Sequence, residues 1–468
     1  MPAARPIRFV GAVRTSPRLR MILVLAAVLA LDGADKGTVA ATASDLKHSF
    51  GIDNTKLGLL AAVTTLIGAL TTLPVGALTD RVCRTRLLAG SIALWSVAMT
   101  FGTLAPSYGW LLVSRLALGA VSATAGPTVA SLTGDFFPAG HRARIYGFIL
   151  VGEFAGTGAG FAVSGTLSGL IGWRAAFAWL VVPGLVLAAI VWRIEEPARG
   201  ASGRVQAKHG AGQAVAAQGV EPYADQVLHT DPQRASLWWA VRYVLRVRTN
   251  LVVIVASSLT YFYFAGVRTF VVLFAQHHYT IGSSAASALL LVIGVGAVSG
   301  AFLGGRFTDG LLERGVLTAR ILVPVVLLFA IPVLLAGGFA IHAIWLSVPL
   351  LGLGSVLLGF GSPAQDAARL DIIHPHLWGR SEAVRTTIRL LLEAAAPLVF
   401  GLVADHAFGS AVRLTETGSS AYTAEQGHGL AATFLVFLVV LPIAGAVAAI
   451  GLRTYPRDVA TVEASLRR

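Results

Sequence analysis

The chain has 468 residues, 55% of them hydrophobic and 13% charged, with a mean hydropathy of +0.74. That balance excludes a soluble protein of this length and places the chain in a bilayer. The single cysteine, Cys83, excludes an internal disulfide and any Cys-based metal site.

A spanning helix needs about 20 mostly apolar residues. Twelve such runs follow in order, at 21–44, 56–78, 86–105, 109–135, 143–170, 174–193, 250–276, 283–306, 317–340, 343–366, 381–404 and 429–452. They predict helices, because membrane barrels show short alternating strands instead. The net charge of +13 follows the topology. Arg5, Arg8, Arg14, Arg18 and Arg20 precede the first span, and further arginines fall in alternate connections: Arg81, Arg84 and Arg86; Arg142 and Arg144; the 193–248 segment; Arg306, Arg314 and Arg320; Arg369 and Arg380; then Arg453, Arg457, Arg467 and Arg468. The intervening connections hold only Lys47, Lys56, Arg174 and Arg413. This alternation puts both termini in the cytoplasm of a multi-pass protein of the plasma (inner) membrane. It predicts attraction to anionic lipid and no nucleic-acid partner. Reading Met21–Leu31 as a cleaved signal peptide would reverse the parity that every later connection obeys.

In chain order, a charged turn, Gly76-Ala-Leu-Thr-Asp80-Arg81-Val-Cys83-Arg84-Thr-Arg86, separates spans 2 and 3, and Gly305-Arg-Phe-Thr-Asp309 echoes it. The offset of 229 residues between Asp80 and Asp309 aligns span 1 with span 7 and each later span with its counterpart. The expectation is an all-α membrane protein of twelve transmembrane helices in two pseudo-symmetric six-helix bundles, residues 1–193 and 248–468. A cytoplasmic linker, 194–247, joins them. Such paired halves place a substrate site near the midplane and expose it alternately to each side. Within the linker, Trp238, Trp239, Arg242, Tyr243 and Arg246 recur at helical spacing, which fits an interfacial helix or an amphipathic lead into span 7.

The turn at Gly76–Arg86 resembles the loop 2–3 signature of the major facilitator superfamily, and Arg115-Leu-Ala-Leu-Gly119 resembles its span-4 motif. The resemblance covers essentially the whole chain and implies that fold, with Gly76, Asp80, Arg81, Arg84, Arg86 and the echo Asp309 as gating residues. Cys83 stands where the family has glycine, which bears on the turn because cysteine tolerates a positive φ poorly. Within the superfamily the chain looks like the spinster-like lipid transporters: Asp35-Lys36-Gly-Thr38-Val-Ala resembles their span-1 motif, Arg115 their span-4 arginine, and Gly156-Thr-Gly158-Ala-Gly160 their glycine-rich span 5. Lys36 replaces their arginine, and Ser122 stands about where they carry a span-4 glutamate, so that glutamate's proton-carrying role does not transfer.

A charge at bilayer depth costs about 2.5–3.5 kcal/mol on insertion scales, so each one needs a partner or a job. Counting about 1.5 Å per residue along oppositely directed helices brings Asp35 and Arg115 to similar depth. Asp35 is then a candidate proton carrier, tuned by Arg115, Lys36 and Asp32, or half of a permanent strut. Glu153 in span 5 and Glu393 in span 11 match in the half-repeat to within a turn, and with Arg268, Arg389, Tyr261 and Tyr263 they are candidate substrate contacts. Glu382 and Arg385 are expected to neutralise each other at the cytoplasmic end of span 11. His277 and His278 lack further ligands at suitable spacing, so no metal is expected.

No nucleophile elbow, zinc motif or nucleotide-binding motif is present, and the linker is too short for a nucleotide domain. These residues predict no enzyme and no cofactor. They predict a monomeric secondary transporter, driven by protons or sodium, that moves an amphipathic, lysolipid-like molecule. A multidrug/proton antiporter, an uptake carrier for a small organic anion and a transport-dead receptor are the rivals.

Overall fold

The apolar runs become helices because a lipid-embedded backbone must satisfy its own hydrogen bonds. The structure, a computed structural model, describes residues 17–79, 82–136, 139–196, 219–230, 232, 235–374, 377–406 and 420–466. The first half contains α1 (Pro17–Ala41), a short α2 (Ala43–Phe50), α3 (Asn54–Thr79), α4 (Arg84–Thr103), α5 (Tyr108–Ser122), α6 (Ala125–Phe136), α7 (Ala139–Ala159), α8 (Gly165–Leu170), α9 (Trp173–Ala178) and α10 (Val181–Trp192). After the connecting segment come α11 (Leu237–Arg246), α12 (Arg248–Tyr279), α13 (Ser283–Glu313), α14 (Ala319–Ala340), α15 (Ile344–Ile372), α16 (Trp378–His406), α17 (Ser420–Phe437) and α18 (Val440–Leu466).

These helices retrace the predicted spans, and seven are long and apolar enough to cross a membrane by length and composition. Among the described residues five spans are interrupted: span 1 at Thr42, span 4 at Ala123–Thr124, span 5 by a π turn at Gly160–Ser164, span 6 at Trp179–Leu180 and span 12 at Leu438–Val439. Span 12 also departs from its predicted end at residue 452, because α18 continues to Leu466. The extra turns carry Thr461 and Ser465, whose hydroxyls accept hydrogen bonds from the backbone N–H groups of Tyr223 and Leu228 at 2.9 Å each. Part of the predicted linker is thereby strapped to the second half.

Lipid supplies no hydrophobic drive between helices, so tight backbone approach has to supply the packing. On the α1–α7 seam, a Cβ added at Gly152, Gly156 or Gly160 would overlap the carbonyl oxygen of Ala26, Ala30 or Ala34 respectively. The same device joins the halves: a Cβ at Gly58 of α3 would overlap the Pro397 carbonyl of α16, and one at Gly401 would meet the Asn54 carbonyl at 2.5 Å. We call the membrane face that holds Pro17 and Leu466 the terminal face, and its opposite, at the α2–α3 connection, the distal face.

Candidate functional site

Polar side chains gather at mid-depth where α1, α5, α7, α12 and α16 meet. Asp35 of α1 accepts a hydrogen bond from Arg115 Nη1 at 2.7 Å, with the arginine side chain 1% exposed. The guanidinium lies 4.7 Å from the Phe177 ring centroid. Its Nε and Nη2 have no hydrogen-bond partner among the described residues. An ion pair this dry holds together only while both charges remain, since either alone would be buried without compensation.

On the next residue of α1, Lys36 Nζ lies 2.7 Å from Asp32 and 3.6 Å from Glu153 of α7. Within the second half, facing Lys36, Arg268 of α12 donates to Glu393 of α16 at 2.9 Å. Arg389 stands 3.7 Å from the other Glu393 oxygen and 4.3 Å over the Tyr261 ring. Lys36 is within electrostatic reach of Arg268 and Glu393, so the two groups of charges form one field. Asp32 also lines a small, open pocket with Val28, Trp95, Ser91 and Ser122.

Of the expected substrate contacts, Glu153, Arg268, Arg389, Glu393 and Tyr261 come together. Tyr263 does not: it is fully buried against Phe264 and Phe400, and its hydroxyl has no partner among the described residues. It lies two residues beyond Tyr261, and the 100° helical step carries it about 200° round α12 into the core.

At the terminal face Asp80 and Arg81 lie outside the described residues, Gly76 sits in the last turn of α3, and Arg86 is exposed. Arg84 is buried, and its partner is Glu196, which accepts from Arg84 Nε at 2.6 Å and from the Thr85 N–H at 2.9 Å. Burial opposes ionisation of Glu196, but these donors win and hold its carboxyl down at about 2. Cys83 has φ −66°, so the turn needs no glycine there. Asp309 is a weak partner for Arg320, at 3.3 Å and exposed; buried Asp371 takes both Arg320 and, at 2.5 Å, the Tyr455 hydroxyl. The buried acid beside Arg320 is thus Asp371, and Asp309 lies at the exposed edge of the same group. Glu382 does pair with Arg385, at 2.7 Å, and also with Arg369, at 2.5 Å.

The distal face holds a clamp that sequence reasoning missed. The Asp405 carboxylate, at the end of α16, accepts from Asn54 Nδ2 at 2.8 Å and from the Thr55 N–H and hydroxyl at 2.7 Å. A carboxylate from one half therefore caps the N-terminus of α3 in the other, where the helix dipole favours negative charge. Lys47 donates to Asn54 Oδ1 at 2.8 Å. Burial pushes the Lys47 ammonium down to about 8 from 10.5, against the opposing pull of Asp405 and Asp53. The closed clamp therefore binds that proton more weakly than an exposed lysine does, so closure is weakest below about pH 8 and strengthens as pH rises toward 10.5. Replacing Asp405 by alanine is expected to loosen the distal face. Spin labels at His48 and His406, both exposed, would then report a longer-distance population in a Cys83→Ser background. An unchanged distance distribution would deny the clamp its role. Beside the clamp, His278 stacks on His342 at 4.1 Å and His342 lies 5.4 Å from His428, but no group suited to a metal occurs among the described residues.

Residues 25–397 match the family model of the Major Facilitator Superfamily. Protein spinster of Drosophila melanogaster is 27% identical over 183 residues, 39% of this chain and 30% of that protein. Spinster homolog 1 of Xenopus laevis is 30% identical over 39% of this chain and 35% of its own length, so the chain matches about a third of these relatives. A probable sugar efflux transporter of Helicobacter acinonychis (strain Sheeba) is 24% identical over 68% of this chain and 72% of its own. The crystal structure of a bacterial homolog to the human lysosomal transporter spinster, inward-facing and unoccupied, superposes with a TM-score of 0.78 at 20% identity, covering 95% of this chain and 99% of that one. That likeness establishes a shared fold. With the family matched across most of its length and charges gathered between two helical halves, the chain belongs to the major facilitator superfamily and is a multi-pass membrane protein.

Proposed function

We propose that the chain is a proton-coupled, spinster-like transporter that exports or flips an amphipathic, lysolipid-like molecule by alternating access. The observation that carries the coupling is the dry Asp35–Arg115 pair at mid-depth, a carboxylate and a guanidinium 2.7 Å apart whose buried charges compensate each other. Protonation of Asp35 frees Arg115, and return of the ion pair expels the proton. Arg268 and Arg389 take the anionic part of the substrate, while Glu153 and Glu393 either take a cationic part or hold these arginines when the site is empty. The proposed orientation puts the arginine-rich terminal face in the cytoplasm of a plasma (inner) membrane. In this arrangement the Asp405 clamp closes the outer side while the site faces inward, and the Arg84–Glu196 pair, which lies within the first half, is formed at the same time.

Glu153→Gln removes the nearest acid across from Lys36 and is expected to impair coupling, seen as a smaller substrate gradient at equal pH gradient; transport at the wild-type level would count against it. The deciding experiment is transport by the purified chain in liposomes under an imposed pH gradient, with lysolipids, dyes, sugars and organic anions compared. Transport of lysolipids supports the reading. Selective transport of dyes supports a multidrug antiporter instead, and transport of small polar solutes alone supports the sugar- or anion-carrier alternative.

A further inference from the structure

We propose that α11 is a membrane-surface helix whose partner is the anionic headgroups of the bilayer. Val247, in an extended conformation, is the one residue between α11 and α12, so the two helices do not run on as a single rod. The α11 helix sits beside the start of α16, where Arg380 Nη1 donates to the backbone carbonyls of Pro232 and Ala235 at 3.3 and 3.0 Å. It therefore lies at the level where α12 enters the bilayer, just above the exposed, lipid-facing Leu251 and Val255.

At 100° per residue, α11 has three sides. Ala240, Tyr243 and Val244 point into the protein and are buried. Trp238, 76% exposed, shares one edge with the half-buried Val241 and Leu245. Arg242 and Arg246 form the other edge, both exposed. A helix that merely led into the next span would need only the first side. An exposed tryptophan flanked by apolar residues and bordered by arginines fits the interfacial layer, with the ring among the acyl ends of the headgroups and the guanidiniums on phosphate.

The surroundings strengthen the positive charge. Arg248 and Arg457 stack on the Tyr223 ring from 5.0 and 4.5 Å, and Arg453 is exposed on the same end of α18. Facing them are only two exposed acids among the described residues nearby: Asp225, paired with Arg246 at 2.9 Å, and Glu221. Asp458 is buried and spent on the Thr249 N–H. The basic edge lies on the strap-bound second half, so its lipid contacts would travel with that half during transport.

The test uses the full chain. Adding phosphatidylglycerol to the detergent-purified protein is expected to raise its unfolding midpoint more than phosphatidylcholine does. Arg242→Gln with Arg246→Gln is expected to lose most of that difference, whereas the corresponding double lysine variant keeps it. In vesicles of brominated phosphatidylglycerol, Trp238→Phe is expected to remove a quenched component of tryptophan emission. The proposal is overturned by an undiminished phosphatidylglycerol effect in the double glutamine variant or by quenching that Trp238→Phe leaves intact. Equal stabilisation by inositol hexakisphosphate would assign the patch to a soluble polyanion and overturn the lipid assignment.

Discussion

Proteoliposomes containing Asp35→Asn are expected to exchange substrate across the membrane but to build no gradient from an imposed pH difference. Asparagine preserves the size of the side chain and an oxygen for the Arg115 hydrogen bond at 2.7 Å in the parent. It removes the one thing a proton carrier requires, a carboxylate that can gain and lose a proton at that depth. The rival role is a permanent strut between α1 and α5. Breaking a buried ion pair by removing one charge costs about 3–5 kcal/mol, because the survivor is left in low dielectric without compensation. A strut therefore predicts that exchange and thermal stability fail together, whereas a carrier predicts that exchange survives and only the response to pH is lost. Unchanged pH dependence in Asp35→Asn would sink the carrier role. The margin for the experiment exists because Arg115 also rests on Phe177, which retains part of the cation's surroundings when the carboxylate is gone.

Glu393→Gln is expected to be the most damaging single change among the substrate contacts. Glu393 is 4% exposed and answers two arginines, Arg268 at 2.9 Å and Arg389 at 3.7 Å, with Lys36 in the same field. Neutralising it leaves cations facing one another where an acid had stood between them. The expected stability loss is about 3–5 kcal/mol, read as a lowered unfolding midpoint, together with loss of saturable substrate binding. The double variant Arg268→Gln with Glu393→Gln removes both members of the closer pair and is expected to recover part of the stability but none of the binding. If the double loss instead equals the sum of the two single losses, the pair does not couple and the charge-compensation account fails.

Depth could be counted along the sequence, and partners could not. The spans were legible because a bilayer demands long apolar runs, and the rise per residue then placed Asp35 against Arg115 and Glu153 near Glu393. Rotation about a helix axis was less legible where residues are apolar on every side, which is why the inward turn of Tyr263 could not be read from the sequence. Partner choice at the helix ends was legible within one helix, as with Glu382 and Arg385, and not between segments far apart in the chain. Arg84 pairs with Glu196, 112 residues away, and Asp405 meets Thr55 across 350 residues. Glu196 had left a signal, an acidic pair directly after an apolar run and on the side of the arginine-rich turn. Asp405 had left none, because a single acid at a span end is ordinary until the other half is brought beside it. The interruptions in spans 1, 4, 5, 6 and 12 were likewise invisible to hydropathy, which averages over the few residues where a ladder breaks.

The glycine contacts differ in what each must do over a transport cycle. Those between α1 and α7 lie within one half and have no reason to part. The contact of Gly58 and Gly401 with the opposite backbone lies between halves, and any rocking motion has to open it. Interlocked side chains would have to change rotamer and withdraw from their holes before two helices could separate. Backbone resting on backbone has no such teeth, so α3 and α16 meet there like the faces of a plain bearing. The directional contacts at that end are the hydrogen bonds around Asp405, which any separation of α3 from α16 has to break.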